Sequence, residues 1–144
     1  MNEDRIARLY GDCVRFHGHD CPLLALGVRV CKTALERLKL GDPAPGRLVC
    51  VSEFDGCCVD AIQIGLHCTA GAKHLLYYKT GKLIFTVYDL ETGADVRICA
   101  RKEIAEDIRQ MEPEAVLAAP EDALFTFEKA HPCLLYTSDA ADDS

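Results

Sequence analysis

The sequence predicts an α+β domain in which helices pack on a mostly antiparallel sheet. Its 144 residues are enough for one hydrophobic core and are short for two domains. Two helical patterns open the chain, and several strand-like segments joined by short turns come later. This order of elements favours an antiparallel sheet with helices on one face.

The first predicted helix covers residues 3–15, where Ile6, Leu9, Tyr10 and Cys13 share one face. A polar segment that contains glycine follows it and is expected to end the helix.

Two further helices are expected to begin beside cysteines. Pro22 suits the first helical position, which makes Cys21 the N-cap of the second helix. The third covers residue 57 to about residue 67, with Asp55 as its N-cap. Both cysteines are therefore expected at helix N-termini.

Four segments have the composition of strands: 47–54, 74–78, 83–89 and 95–100. Short turns containing glycine separate the last three, so we expect these three to form a meander. Helices are expected after them, at 102–110 and 113–118.

Composition and charge exclude several classes of protein. The net charge of −7 argues against a nucleic-acid-binding protein, which would need a basic surface. No apolar stretch is long enough to cross a membrane, and the charged N-terminus does not resemble a signal peptide. We therefore expect a cytoplasmic protein.

The last eleven residues break the pattern of the chain. Residues 134–144 resemble a non-native tail, so we assign the domain to residues 1–133. Without the tail the domain remains acidic.

Nine cysteines are the most unusual feature of the composition. Their odd number and the absence of an export signal argue against a disulfide scaffold, and the lack of a C-x-x-C pair excludes a zinc ribbon. Four are predicted to be structural, since they lie on apolar stripes or in a strand: Cys13, Cys31, Cys50 and Cys99. Five remain: Cys21, Cys57, Cys58, Cys68 and Cys133.

The strongest local signal is the segment 17–22, which reads His-Gly-His-Asp-Cys-Pro. Imidazole and thiolate are ligands that suit zinc or another divalent transition metal. At a helix N-terminus, Cys21 is also placed to ionise. The alternative is that His17 and His19 are ordinary loop histidines.

A second signal begins at Cys57, where a thiol pair opens the third helix. Adjacent helical residues point about 100° apart, and Cys58 fits the apolar face, so Cys57 is the better metal ligand. Asp60 is either a ligand, an acceptor for an imidazole N–H, or a carboxylate favoured by the helix dipole. The loop from Cys68 to Lys73 is small and polar, and a plain helix-ending loop is its simpler interpretation.

These motifs together resemble the family named for the E-type component of formylmethanofuran dehydrogenase. The family's F-H-G-H-x-C-P segment corresponds to residues 16–22, and its G-x-R to 27–29. Its C-x-x-D-A-I-Q motif corresponds to 57–63, and its C-T-x-G segment and G-K pair to 68–71 and 81–82.

The resemblance implies an α+β domain that forms an intertwined homodimer with a metal-associated His/Cys pocket. It also implies a connection with larger molybdenum or tungsten oxidoreductase complexes. Some relatives carry a C-terminal zinc module, of which Cys133 would be the first ligand.

The leading hypothesis is therefore a cytoplasmic metal-binding protein with His19, Cys21 and Cys57 as ligands, and His17 or Asp60 close by. Three protein ligands would leave a position for water or a small molecule. Three alternatives stay open: a protein that delivers a metal or cofactor, a metal-independent thiol enzyme in which His19 activates Cys21, and a truncated member without activity.

Overall fold

A computed structural model describes residues 1–130 of the chain. The predictions for residues 134–144 and for Cys133 lie outside the described residues. Within the described part, no helix is long and apolar enough to span a membrane.

The first helix, α1 (Glu3–His17), extends two residues beyond its predicted end. Asn2 caps its start, because Asn2 Oδ1 accepts a hydrogen bond of 2.8 Å from Arg5 N. Gly18 ends it in a left-handed conformation, with φ of 101°, which glycine adopts without steric cost. The extension places His17 on the last helical turn.

The second helix, α2 (Pro22–Arg37), begins as predicted. Cys21 is its N-cap and accepts a hydrogen bond from Leu24 N to Sγ at 3.4 Å. The third helix, α3 (Cys58–Leu66), is also confirmed, but Asp55 is not its cap. Cys57 occupies that position in a helical conformation and makes no capping bond through its side chain.

Five strands form one sheet in the order β2-β1-β3-β4-β5. They are β1 (Leu48–Ser52), β2 (Leu75–Tyr77), β3 (Ile84–Asp89), β4 (Asp95–Ala100) and β5 (Phe125–Glu128). Strand β2 is parallel to β1, whereas every other pair is antiparallel. The predicted α+β class with a mostly antiparallel sheet is thus confirmed.

The predicted meander is only half right. Strands β3 and β4 form the expected hairpin, but β2 lies on the far side of β1 from β3. The reason is that α3 connects β1 to β2 as a crossover, and such a connection gives parallel strands. Strand β5 is absent from the sequence prediction.

The C-terminal helices are α4 (Lys102–Asp107), α5 (Pro113–Ala118) and α6 (Glu121–Leu124), with a 3-10 turn at Ile108–Gln110. Arg29 fastens α5 to α2, because its Nη1 donates to the carbonyls of Val116 and Leu117 at 3.0 Å and of Ala119 at 2.5 Å. A buried guanidinium therefore satisfies the free carbonyls at a helix C-terminus.

The largest core cluster joins α2 and α3 to the sheet, through side chains such as Leu26, Ile62 and Phe85. The four cysteines predicted to be structural are all buried. Cys58 and Cys68 are buried as well, and their thiols donate to the carbonyls of Leu23 and Leu48. These contacts give both cysteines a structural role.

Asp89 makes the stability of the fold depend on pH. Two hydrogen bonds from the Arg47 guanidinium, at 3.0 and 3.1 Å, hold the pKa of this buried carboxyl well below its ordinary value, against the opposing effect of burial. A lowered pKa stabilises the fold above the unfolded-state value of about 4 and loses that contribution as the pH falls further.

We therefore expect Asp89→Asn to lower the free energy of unfolding by about 2 kcal/mol at pH 7. Urea unfolding should show this difference shrink between pH 5 and pH 3. The exposed Asp95 provides the control variant Asp95→Asn. Equal pH slopes for the wild type and Asp89→Asn would contradict the assignment.

Candidate metal centre

His17 is held in place by a carboxylate from α3. Its Nδ1 lies 2.6 Å from Asp60 Oδ2, and its side chain is 14% exposed. Its Nε2 is buried and has no hydrogen-bond partner among the described residues. With Nδ1–H donating to Asp60, the lone pair of Nε2 is free, which is the state required of a metal ligand.

His19 and Cys21 complete a compact group with His17. One ligand atom from each of the three residues lies within 4.8 Å of the other two. The two imidazole rings are 4.4 Å apart between centroids and are tilted by 50°. Gly18 separates the histidines, and its left-handed turn at the end of α1 brings His19 back towards His17.

Cys57 joins this group through Cys21. Burial raises the pKa of the Cys57 thiol to about 11, and its hydrogen bond with Cys21 acts in the same direction. Cys57 is therefore protonated at neutral pH in the absence of a metal, next to the sulfur that caps α2. The two cysteines predicted to open neighbouring helices are thus in contact.

Asp60 serves as the acceptor for His17, one of the three roles considered for it. Gln63 holds the carboxylate, because Gln63 Nε2 donates to Asp60 Oδ1 at 3.2 Å. Gln63 Oε1 in turn accepts from Ala70 N at 3.1 Å. The loop after α3 therefore supports the site indirectly, through Gln63.

Two supporting residues are not identified by the sequence patterns above. Gln63 lies three residues after Asp60, a spacing that brings side chains together on a helix, so its role had a detectable signal. Tyr10, assigned only to the apolar face of α1, donates its hydroxyl to Asp20 Oδ1 and fixes the loop between the helices. Nothing in its spacing indicates that contact.

The donor set fits a divalent transition metal. Two imidazoles and one thiolate, with a second thiol beside them, match the ligands that zinc and its neighbours prefer. A buried imidazole nitrogen with no partner is costly unless something binds it. The residues therefore fit a metal without identifying which one.

Comparisons with known proteins place these features in one family. The family described as "FmdE, Molybdenum formylmethanofuran dehydrogenase operon" matches residues 16–128, a range that contains the whole His/Cys group. An FmdE-like protein of the tungsten formylmethanofuran dehydrogenase type, from Syntrophus aciditrophicus, has a similar fold, with a TM-score of 0.69. That similarity covers 90% of this chain and 75% of the other, at 22% sequence identity.

A curated relative has a different name. A probable S-adenosyl-L-methionine-binding protein of Archaeoglobus fulgidus is 30% identical over 105 residues. The match covers 70% of this chain but only 29% of the relative, so the chain spans less than a third of that protein's length. Taken with the match over residues 16–128, these features show that the chain belongs to the FmdE family, which is linked to molybdenum formylmethanofuran dehydrogenase operons.

Proposed function

We propose that this protein binds zinc or another divalent transition metal through His17, His19 and Cys21, with Cys57 as a neighbouring or additional ligand. It would act as an accessory or small-molecule-binding component of molybdenum or tungsten oxidoreductase metabolism. The observation that carries the proposal is His17 Nε2, a buried nitrogen without a partner among the described residues, beside two other metal-binding groups.

The environment of His17 supports this role. A metal-binding histidine normally donates its second N–H to a carboxylate or carbonyl, which fixes the ring and makes the free nitrogen more basic. Asp60 accepts this bond, and Gln63 keeps Asp60 in position. The ring is thus oriented before any ion arrives.

The environment of Cys21 supports it equally. Leu24 N at the start of α2 donates to Cys21 Sγ, a contact that suits a negatively charged sulfur. His19 is exposed, so the group is accessible from solvent. A metal bound by three protein groups would supply Lewis-acid chemistry at its open position.

The biological setting is part of the proposal. The family's link to molybdenum formylmethanofuran dehydrogenase operons favours a role beside a larger oxidoreductase complex in the cytoplasm. We also propose that the protein acts as a homodimer.

Metal content tests the proposed function. We expect the wild-type chain to bind one zinc ion per chain, measured by elemental analysis after dialysis against trace zinc. Zinc titration in the presence of a colorimetric chelator should give the same stoichiometry. Less than one tenth of an equivalent in both measurements would reject the metal site.

One observation favours a second function. Cys21 has both a helix N-terminal N–H and the His19 ring nearby, the groups that activate a nucleophilic thiol without a metal. Iodoacetamide labelling of the metal-free protein distinguishes this candidate. Thiol chemistry predicts rapid, selective alkylation of Cys21 at pH 7 that zinc does not slow, whereas a metal site predicts protection by zinc.

A further inference from the structure

A cavity of about 490 Å³ lies beside the β3–β4 hairpin, apart from the metal centre. Its lining comes from the start of β3, the end of β4, α4 and the turn after it, and single residues of α2, β5 and the segment after β1. The volume is in the range of small-molecule binding sites, about 300–1,000 Å³.

The wall of this cavity is mainly apolar. Leu23, Phe54, Leu83 and Ala105 line it with hydrocarbon and one aromatic ring. Leu23 and Leu83 are buried members of the main core, so this wall belongs to the rigid part of the fold. Such a surface suits the body of an apolar ligand.

Three cations from three different segments line the same cavity: Lys82, Lys102 and Arg109. All three are exposed, and the Lys82 and Arg109 side chains have no hydrogen bond or ion pair with residues 1–130. Lys102 has only a 4.0 Å contact with Glu106. Three cations around one cavity are unusual in a chain with a net charge of −7.

One carboxylate also lines the cavity, but its charge is already compensated. Glu128 Oε1 accepts from Arg97 Nε at 3.1 Å and is 3.5 Å from the Cys99 thiol. The cavity therefore combines an apolar wall with an excess of positive charge.

We propose that this cavity binds a small organic anion with an apolar body, whose charged group contacts Lys82, Lys102 and Arg109. The ligand class is a carboxylate, sulfonate or phosphate attached to a hydrophobic group. This goes beyond the metal-binding function, since neither the two histidines nor the two cysteines of the metal centre line the cavity. The two sites are nevertheless neighbours, because Leu23 follows Cys21 by two residues.

Two fluorescent probes test the proposal. 8-Anilinonaphthalene-1-sulfonate has an aromatic body and one negative charge, and N-phenyl-1-naphthylamine has the same body without the charge. Fluorescence titration of the wild type should give tighter binding of the sulfonate, at least threefold. Equal affinity for both probes, or weaker binding of the sulfonate, would contradict the proposal.

The double variant Lys82→Gln/Arg109→Gln should weaken sulfonate binding at least tenfold and change binding of the neutral probe by less than twofold. The matched control, Arg8→Gln/Lys39→Gln, removes two exposed charges elsewhere and should leave both affinities unchanged. Sulfonate affinity within twofold of the wild type in the first variant would overturn the proposal.

A third variant tests the apolar wall. Ala105 is exposed on α4, so Ala105→Trp fills the cavity without disturbing the core and should abolish binding of both probes. Unchanged binding of both would place the probes elsewhere and reject the cavity. Near-UV circular dichroism checks each variant for native packing, because the sulfonate also binds loosely packed proteins. Cys21→Ser should bind both probes normally, so the two proposals fail separately.

Discussion

Replacing Cys21 with serine is expected to lower the zinc affinity of the protein at least about 100-fold. Serine keeps the size of the side chain but replaces a thiolate with a neutral hydroxyl, a poor zinc ligand at neutral pH. His17→Asn should have an effect of similar size, because it removes the buried nitrogen that has no partner among the described residues. Competition titration against a chelator of known affinity measures both losses.

The size of the effect should follow the position of each residue. Asp60→Asn leaves the ligands intact but weakens the hold on His17, so we expect a loss of about 10–100-fold. His67→Asn is the matched histidine control, since His67 is 39% exposed at the other end of α3. Cys99→Ser is the matched cysteine control, in β4. A similar loss in the controls would contradict the assignment of the ligands.

Gly27→Ala is expected to destabilise the fold by about 3 kcal/mol, although alanine is the better helix former. A Cβ atom at Gly27 would lie 2.6 Å from the carbonyl oxygen of Cys58 and 2.8 Å from Ala61 Cβ. The first neighbour is backbone, so α2 and α3 would have to move apart. Because Cys58 follows Cys57 directly, that shift would also disturb the metal centre.

Urea unfolding monitored by circular dichroism measures this loss. Gly11→Ala is the matched control, because Gly11 lies within α1 and a Cβ there would meet only the end of the Arg15 side chain at 3.8 Å. The control should stabilise the protein by about 0.5–1 kcal/mol, since alanine is favoured in helices. Equal effects of the two substitutions would show that the close approach of α2 and α3 does not restrict residue 27.

The helices can be predicted because their signals are local. Asn2, Pro22 and the apolar spacings on α1 and α2 lie within one or two turns of the ends that they specify. The predicted end of α1 is two residues early, because the polarity of the segment after residue 15 does not itself stop a helix. Gly18, not Phe16, ends it.

The sheet is harder to predict because its pairing is long-range. A helix separates β1 from β2 in the sequence, and the parallel pairing that results has no local signal to distinguish β2 from a meander strand. Strand β5 has only four residues and follows a short helix, so no alternation identifies it. Its position depends on the open edge of β4, which no local pattern records.

The candidate site divides in the same way. His17, His19 and Cys21 lie within five residues, so the sequence alone identifies them as a group. The contact of Cys57 with Cys21 follows from their matching places at helix starts. The bond from His17 to Asp60 joins positions 43 residues apart, and only the packing of α1 against α3 determines it.

X-ray absorption at the zinc edge of the zinc-loaded wild-type protein tests the account most directly, because it reports the ligand atoms themselves. Binding by His17, His19 and Cys21 predicts imidazole scattering together with at least one sulfur at about 2.3 Å. A spectrum with oxygen and nitrogen neighbours and no sulfur would contradict the proposed centre.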